Sequence, residues 1–202
     1  MISEAITPLR MIFWGGLICF VDLSFSQTSN GSGFRFDIVN DTVGATMIAV
    51  GVFRLSSFSV HANYERAMSF VKIVSVLSVL DAIRDHFIIP LPMPMRFLLQ
   101  LFSIATLAAI VTFCLAMRQL SHAAGLTLSE GSWRTTTNLF VFIYAIPLGL
   151  SYLLGMAAIA SGQSLNFNIG PAGLILLPIF LVPIIHFFFS TSRMYREAEL
   201  SI

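Results

Sequence analysis

Charge is scarce in this chain. Only 10% of its 202 residues are Asp, Glu, Lys or Arg, against about 25% in a soluble domain. With 56% hydrophobic residues and a mean hydropathy of +0.86, too few polar side chains remain to wet the outside of a folded core. Lipid is therefore the expected solvent for most of the chain. A net charge of +1 excludes the basic surface a nucleic-acid partner would need. Cysteine is scarce as well. Cys19 and Cys114 fall inside apolar runs, outside any CxxC or metal-ligand spacing, and read as small buried hydrophobes. The chain also lacks HExxH, GxSxG and a phosphate loop. His61 and His122 fall in links between apolar runs, and His186 lies within the last run, where a lone histidine reads as a hydrogen-bonded packing residue. No catalytic residue, cofactor or metal site is expected. An intramembrane enzyme using Asp and His as acid and base is the least supported class.

What the chain does have is apolar length. Six runs, at 11–26, 38–58, 67–88, 93–117, 137–161 and 170–190, lack the alternation of barrel strands. They suit helices of about 20 residues crossing a hydrocarbon core of about 30 Å. The expected fold is all-α, a polytopic transmembrane helix bundle of about six spans forming one domain over residues 1–202. The first run, MIFWGGLICFVDLSFS, ends in a small-x-small pattern that resembles a signal peptide. Asp22 interrupts it, and it reads as a retained first helix. Eight of the eleven basic residues (Arg10, Arg54, Arg66, Lys72, Arg118, Arg134, Arg193 and Arg196) fall on the side of both termini, while Arg35, Arg84 and Arg96 fall on the other. That bias predicts an N-in, C-in multi-pass protein of the cell inner (plasma) membrane. Trp14, Tyr64, Trp133 and Tyr195 fall near the inner boundary, as an aromatic belt would. Every Glu sorts to the inner side and every Asp to the outer side.

Proline and repetition add detail. Pro90, Pro92 and Pro94 predict an extended link between spans three and four. Pro147, Pro178 and Pro183 fall inside the last two spans and predict kinks. FDI at 36–38 matches FNI at 167–169, an offset of 131 residues shared by Tyr64 with Tyr195 and by Ala67 with Ala198. This is either a parallel repeat or a coincidence of Phe-rich segments. Asn30-Gly31-Ser32 fits a glycosylation pattern, which matters only in a eukaryotic secretory pathway.

The polar residues that carry a possible site gather at the outer ends. In FDIVNDTVG, Asp37, Asp41, Gly44 and Gly51 follow at spacings that share one helix face. Asp37 reads as the N-cap, with Asp41 one turn deeper and paired with Arg35, Arg84 or Arg96. Gly44 and Gly51 read as a surface that lets a neighbouring helix come close. In SVLSVLDAIRDHF, Ser75, Ser78, Asp81 and Asp85 form a stripe, with Arg84 and His86 beside it. Asp22, Asp37, Asp41, Asp81, Arg84, Asp85, His86 and Arg96 together make the candidate outer polar cluster. It is read as a salt-bridge network ahead of an ion or proton site, and ahead of a divalent-metal site.

FDIVNDTVGATMIAVGVFRLSSF, followed by YERAMSFVKIVSVLSVLDAI, resembles a family of small uncharacterised bacterial polytopic membrane proteins with a Phe-Asp-Ile-x-x-Asp-x-(Ile/Val)-Gly signature. Asp37, Asp41 and Gly44 fit it, while Asn40 stands where the pattern has Pro. The resemblance covers about the first three spans and implies no activity. Two functions are expected in order. The first is a subunit, scaffold or assembly component of a membrane complex, whose partners are the bilayer and other membrane protein subunits. The second is a small transporter or ion-conducting protein that uses the outer acidic cluster.

Overall fold

Most of the described part of each apolar run is helical. A computed structural model describes residues 2–20, 24–29, 32–37, 41–85, 87–88, 92–160 and 172–201. It contains α1 (Ile2–Phe20), α2 (Asp41–Leu55), α3 (Ala62–Asp85), α4 (Met93–Ala123), α5 (Thr127–Phe140), α6 (Ile146–Ala160) and α7 (Ala172–Leu200). A π turn over Val141–Ala145 joins α5 to α6 without a break. Among the described residues there are thus six continuous helices. Two stretches, Leu98–Ala123 and Thr127–Leu154, are long and apolar enough to cross a membrane by length and composition.

Most helices run beyond the apolar runs because their polar ends pack on one another. α1 begins at Ile2, not near residue 11, since Ala5, Pro8, Leu9 and Ile12 are all buried and stand at helical spacing. α4 continues to Ala123, and α5 starts after a turn closed by Gly125, whose φ of +73° suits the residue that ends a helix. The Ser- and Thr-rich start of α5, which reads as a loop, is helical, with Ser129, Ser132, Thr136 and Thr137 buried and hydroxyls bonded back into their own helix. Thr135 donates to Gly131 O at 3.2 Å, Thr136 to Ser132 O at 3.0 Å and Thr137 to Trp133 O at 2.8 Å.

Proline shapes rather than breaks these helices. Pro92 precedes α4 with φ −64° and ψ 155°, and Pro94 occupies the first turn, where a missing amide costs nothing. Pro147 cannot bond to the carbonyl of Ile143 and crowds it. The chain widens there into the π turn, which absorbs the mismatch.

The helices close into a ring. α1 packs on α2, α2 on α3, α3 on α4, α4 on α5, α5 on α7 and α7 back on α1. Neighbours run antiparallel, so one end of the bundle gathers Arg10 and Glu199 in an ion pair, Glu130 beside His122 and Arg118, and Glu197. The other end gathers Asp41, Asp81, Asp85 and a small antiparallel sheet. These are called the Glu end and the Asp end below. In the sheet, β1 (Ser24–Ser29) pairs with β2 (Ser32–Asp37), Ser29 lies opposite Ser32, and β3 (Phe87–Ile88) pairs with Gly33 and Phe34. Ser24-Phe25-Ser26, expected to end the first span, is strand instead. The second copy of the apparent repeat, at 167–169, lies outside the described residues.

The Glu end is packed solid. Leu9, Leu55, Tyr64, Met68, Met117, Leu120, Trp133 and Met194 are fully buried there. Tyr64 donates to Leu55 O at 2.7 Å, and Trp133 Nε1 lies 3.2 Å from Met194 Sδ. Tyr64 and Trp133 are therefore core residues, not members of an aromatic belt. Their polar atoms find partners inside, which removes any need to reach headgroups. Glu197 of α7 locks the start of α5: it accepts from Leu128 N at 3.2 Å, from Ser129 N at 2.8 Å and from the Ser129 hydroxyl. A carboxylate there satisfies amides that the helix itself leaves unpaired and meets the positive end of its dipole. Glu197→Ala is expected to lower stability by about 1–2 kcal/mol, read as a drop in thermal midpoint in detergent. An unchanged midpoint would show that the contact contributes nothing.

A candidate binding cavity at the Asp end

The glycines decide how the Asp end opens. A Cβ at Gly44 would sit 2.6 Å from Cys19 Sγ and 2.7 Å from Gly15 O, and one at Gly51 would sit 2.8 Å from Pro8 O. Gly15 answers from α1, where a Cβ would lie 2.6 Å from Gly44 O. These residues let α1 and α2 meet backbone to backbone. Gly44 and Gly51 therefore face α1, within this chain. Asp41 lies on the neighbouring strip of α2, with Ala45, Ile48 and Val52, and this strip faces the bundle axis.

Along that axis lies a cavity of about 700 Å³, within the usual range of about 300–1,000 Å³ for small-molecule sites. Every helix of the ring contributes: Ile12 and Cys19 from α1, Asp41 from α2, Ser75, Ser78, Asp81 and Asp85 from α3, Thr106 and Phe113 from α4, Phe140 at the end of α5, and Phe187 from α7. The cavity stretches from Val71 to Asp85 on α3, about 21 Å at the α-helical rise. Its deep end is aromatic, closed by Phe113, Trp133 and Phe187 in edge-to-face and tilted contacts at 5.6–5.9 Å. Its polar residues gather toward the Asp end.

The expected cluster is partly assembled. All four members of the α3 stripe line the cavity. Arg84 holds Asp81 at 3.0 Å and also pairs with Asp85, so this guanidinium is taken up by its own helix. Asp41 stands in the first turn of α2, and the Cys19 thiol points at its carbonyl from 3.7 Å. Asp37 is not the cap of α2. It ends β2 opposite Ser24, because the ladder with β1 holds this stretch extended. Arg96 falls near the start of α4. Asp22 and His86 lie outside the described residues. No group of three or more His, Cys, Asp and Glu among the described residues is arranged to hold a metal ion.

A second polar constellation emerges only from the packing. Between α5 and α7, Ser132 and Ser190 hydroxyls lie 2.7 Å apart, Thr136 and Ser190 hydroxyls 2.7 Å apart, and Thr136 Oγ1 lies 2.8 Å from His186 Nδ1. Ser190 and Thr136 are fully buried. His186 thus has a hydrogen-bonding role at a helix contact. The sequence carries the signal as Ser132 and Thr136 four apart facing His186 and Ser190 four apart, but it needs the pairing of α5 with α7 to be seen. Farther along, the Tyr144 hydroxyl donates to Phe180 O, beside the π turn and Pro183.

No family model, curated protein or solved structure matches the chain.

Proposed function

We propose that this is a six-span protein of the inner (plasma) membrane, with both termini cytoplasmic, that binds a small molecule in a cavity open toward the outer side and acts as a transporter or ligand-binding membrane component. The observation that carries this reading is the cavity lined by all six helices of the ring and closed at the Glu end. The lipid-facing surface supports the spans: Phe53, Phe70, Ile73, Leu80, Leu98, Phe142, Leu153 and Phe189 are large, apolar and exposed, which water would not tolerate in such density. The basic-residue bias supports a Glu end on the inner side.

The reading expected first from the sequence, a subunit, scaffold or assembly component, rests on short links, the lack of a catalytic motif and small residues on helix faces. Gly44 and Gly51 are already occupied by α1, so they offer no surface to a partner, and the ligand-binding reading takes precedence. The test is to extract the protein into polymer-bounded native discs and analyse released small molecules by mass spectrometry. Wild type is expected to release a stoichiometric compound. Ala82→Phe, which fills the cavity wall, is expected to release at least about tenfold less while remaining monodisperse, the equivalent of 1.4 kcal/mol in affinity. Identical extracts from both proteins, or a fixed protein partner on native gels with no small molecule, would sink the ligand-binding reading.

A further inference from the structure

Resting on the reading of an open cavity, we infer that its occupant is a cation bearing N–H donors on an apolar body, an alkylammonium or alkylguanidinium compound. Among the described residues, the polar wall offers acceptors and holds its hydroxyl donors within its own helices. Asp41, Asp81 and Asp85 are among the lining residues, and a carboxylate only accepts when ionised. The hydroxyl groups beside them have their hydrogens committed to their own helices. Ser75 donates to Lys72 O at 2.8 Å and Ser78 to Val74 O at 3.0 Å. On the facing helix, Ser103 donates to Leu99 O at 3.1 Å and Thr106 to Phe102 O at 2.9 Å. Each oxygen keeps the capacity to accept.

Arg84, the cation of this region whose side chain is described, is engaged by Asp81 and Asp85 and is absent from the lining. A phosphate or carboxylate head would meet acceptors there. A protonated amine would meet carboxylates and hydroxyl oxygens, and its bonds to carboxylates would be charge-assisted. Below this wall the lining turns to Ile110, Phe113, Phe140 and Phe187, so the rest of the ligand is apolar.

Cys19 lines the cavity while Cys114 is fully buried in the core, so the wild-type chain carries its own reporter. The protein is placed in nanodiscs of zwitterionic phosphatidylcholine. It is reacted with cationic (ethylammonium), anionic (sulfonatoethyl) and neutral (methyl) methanethiosulfonates. Labelling of Cys19 is followed by peptide mass, and each rate is normalised to that of free cysteine.

The cationic reagent is expected to be favoured over the anionic one by about tenfold or more, since a cleft lined by one sign of charge concentrates counter-ions by that order. Asp41→Asn and Asp81→Asn should each shrink the cationic-to-anionic ratio while the protein stays monodisperse and Cys19 still reacts with the neutral reagent, which shows that the fold is intact. n-Octylammonium should slow labelling where octanoate does not. Equal normalised rates for the charged reagents, or labelling by the neutral reagent alone, would overturn the cation inference and leave the cavity standing. Failure of all three reagents to label Cys19 would overturn the open cavity itself.

Discussion

Gly44→Val is expected to abolish the folded protein, or to lower its stability by at least about 3 kcal/mol out of a typical total of 5–15 kcal/mol. The first atom added at Gly44 would meet Cys19 Sγ at 2.6 Å, Gly15 O at 2.7 Å and an Ile18 methyl at 2.9 Å. The middle contact is backbone, which cannot swing aside as a flexible side chain does. Relief requires α1 and α2 to separate, and α1 also carries the contacts with α7 that close the ring. The internal control is Gly149 in α6, where an added Cβ would meet nothing within 4 Å. Gly149→Ala should raise stability by about 0.5–1 kcal/mol, because alanine has less backbone freedom to lose. Thermal unfolding in detergent, followed by circular dichroism and by size-exclusion recovery, reads both. A Gly44→Val protein as stable as wild type would mean that α1 and α2 do not touch as described.

Trp133→Ala is expected to cost about 3–5 kcal/mol, the range for emptying a buried aromatic site. The indole is fully buried, meets Phe113 at 5.9 Å and Phe187 at 5.6 Å, and aims its N–H at Met194 Sδ. In a bilayer, as proposed, the loss would come mainly from forfeited packing contacts, since hydrocarbon solvates the removed ring almost as well as the core does. Trp133→Phe keeps part of the ring packing and should recover a good share of that loss. The alanine variant also separates the two roles a tryptophan can have near the Glu end. A belt residue facing headgroups would be replaced by alanine with little loss of thermal midpoint. Trp14, which is exposed, provides that comparison.

Sequence is informative here where one physical effect dominates. Apolar runs mark where the helices lie, and two stretches, Leu98–Ala123 and Thr127–Leu154, are long and apolar enough to cross a membrane. The α3 stripe of Ser75, Ser78, Asp81 and Asp85 is legible because helical spacing alone puts those residues on one face. The helix ends differ from expectation where polar stretches pack against polar stretches. Residues 127–137 look like a loop by hydropathy, yet their hydroxyls bond back into α5 and across to α7, so polarity there is internal.

Asp37 differs from its expected role because a helix-capping pattern and a strand end can share the same residues. The deciding signal lies a few positions upstream: Asn30-Gly31 between SFSQTS and SGFRFD is a strong hairpin pattern, which the overlapping glycosylation motif obscures. Gly44 and Gly51 are legible as a close-approach surface, but their partner is not, since only the packed structure shows Gly15 opposite. The cavity is not legible at all. It is a property of how six helices fail to meet along the axis, and no local pattern encodes that.

Central to the proposed function is a bundle sealed at the cytoplasmic Glu end and open to the outside at the Asp end. Single cysteines placed at Ser78 and at Glu130 in a cysteine-free chain, probed in intact cells with a membrane-impermeant maleimide, test it most directly. Ser78 lines the cavity, and Glu130 sits in the Glu-end network with His122. The prediction is labelling at position 78 in intact cells and at position 130 only after the membrane is permeabilised. Labelling at position 130 in intact cells, with position 78 protected, would contradict it.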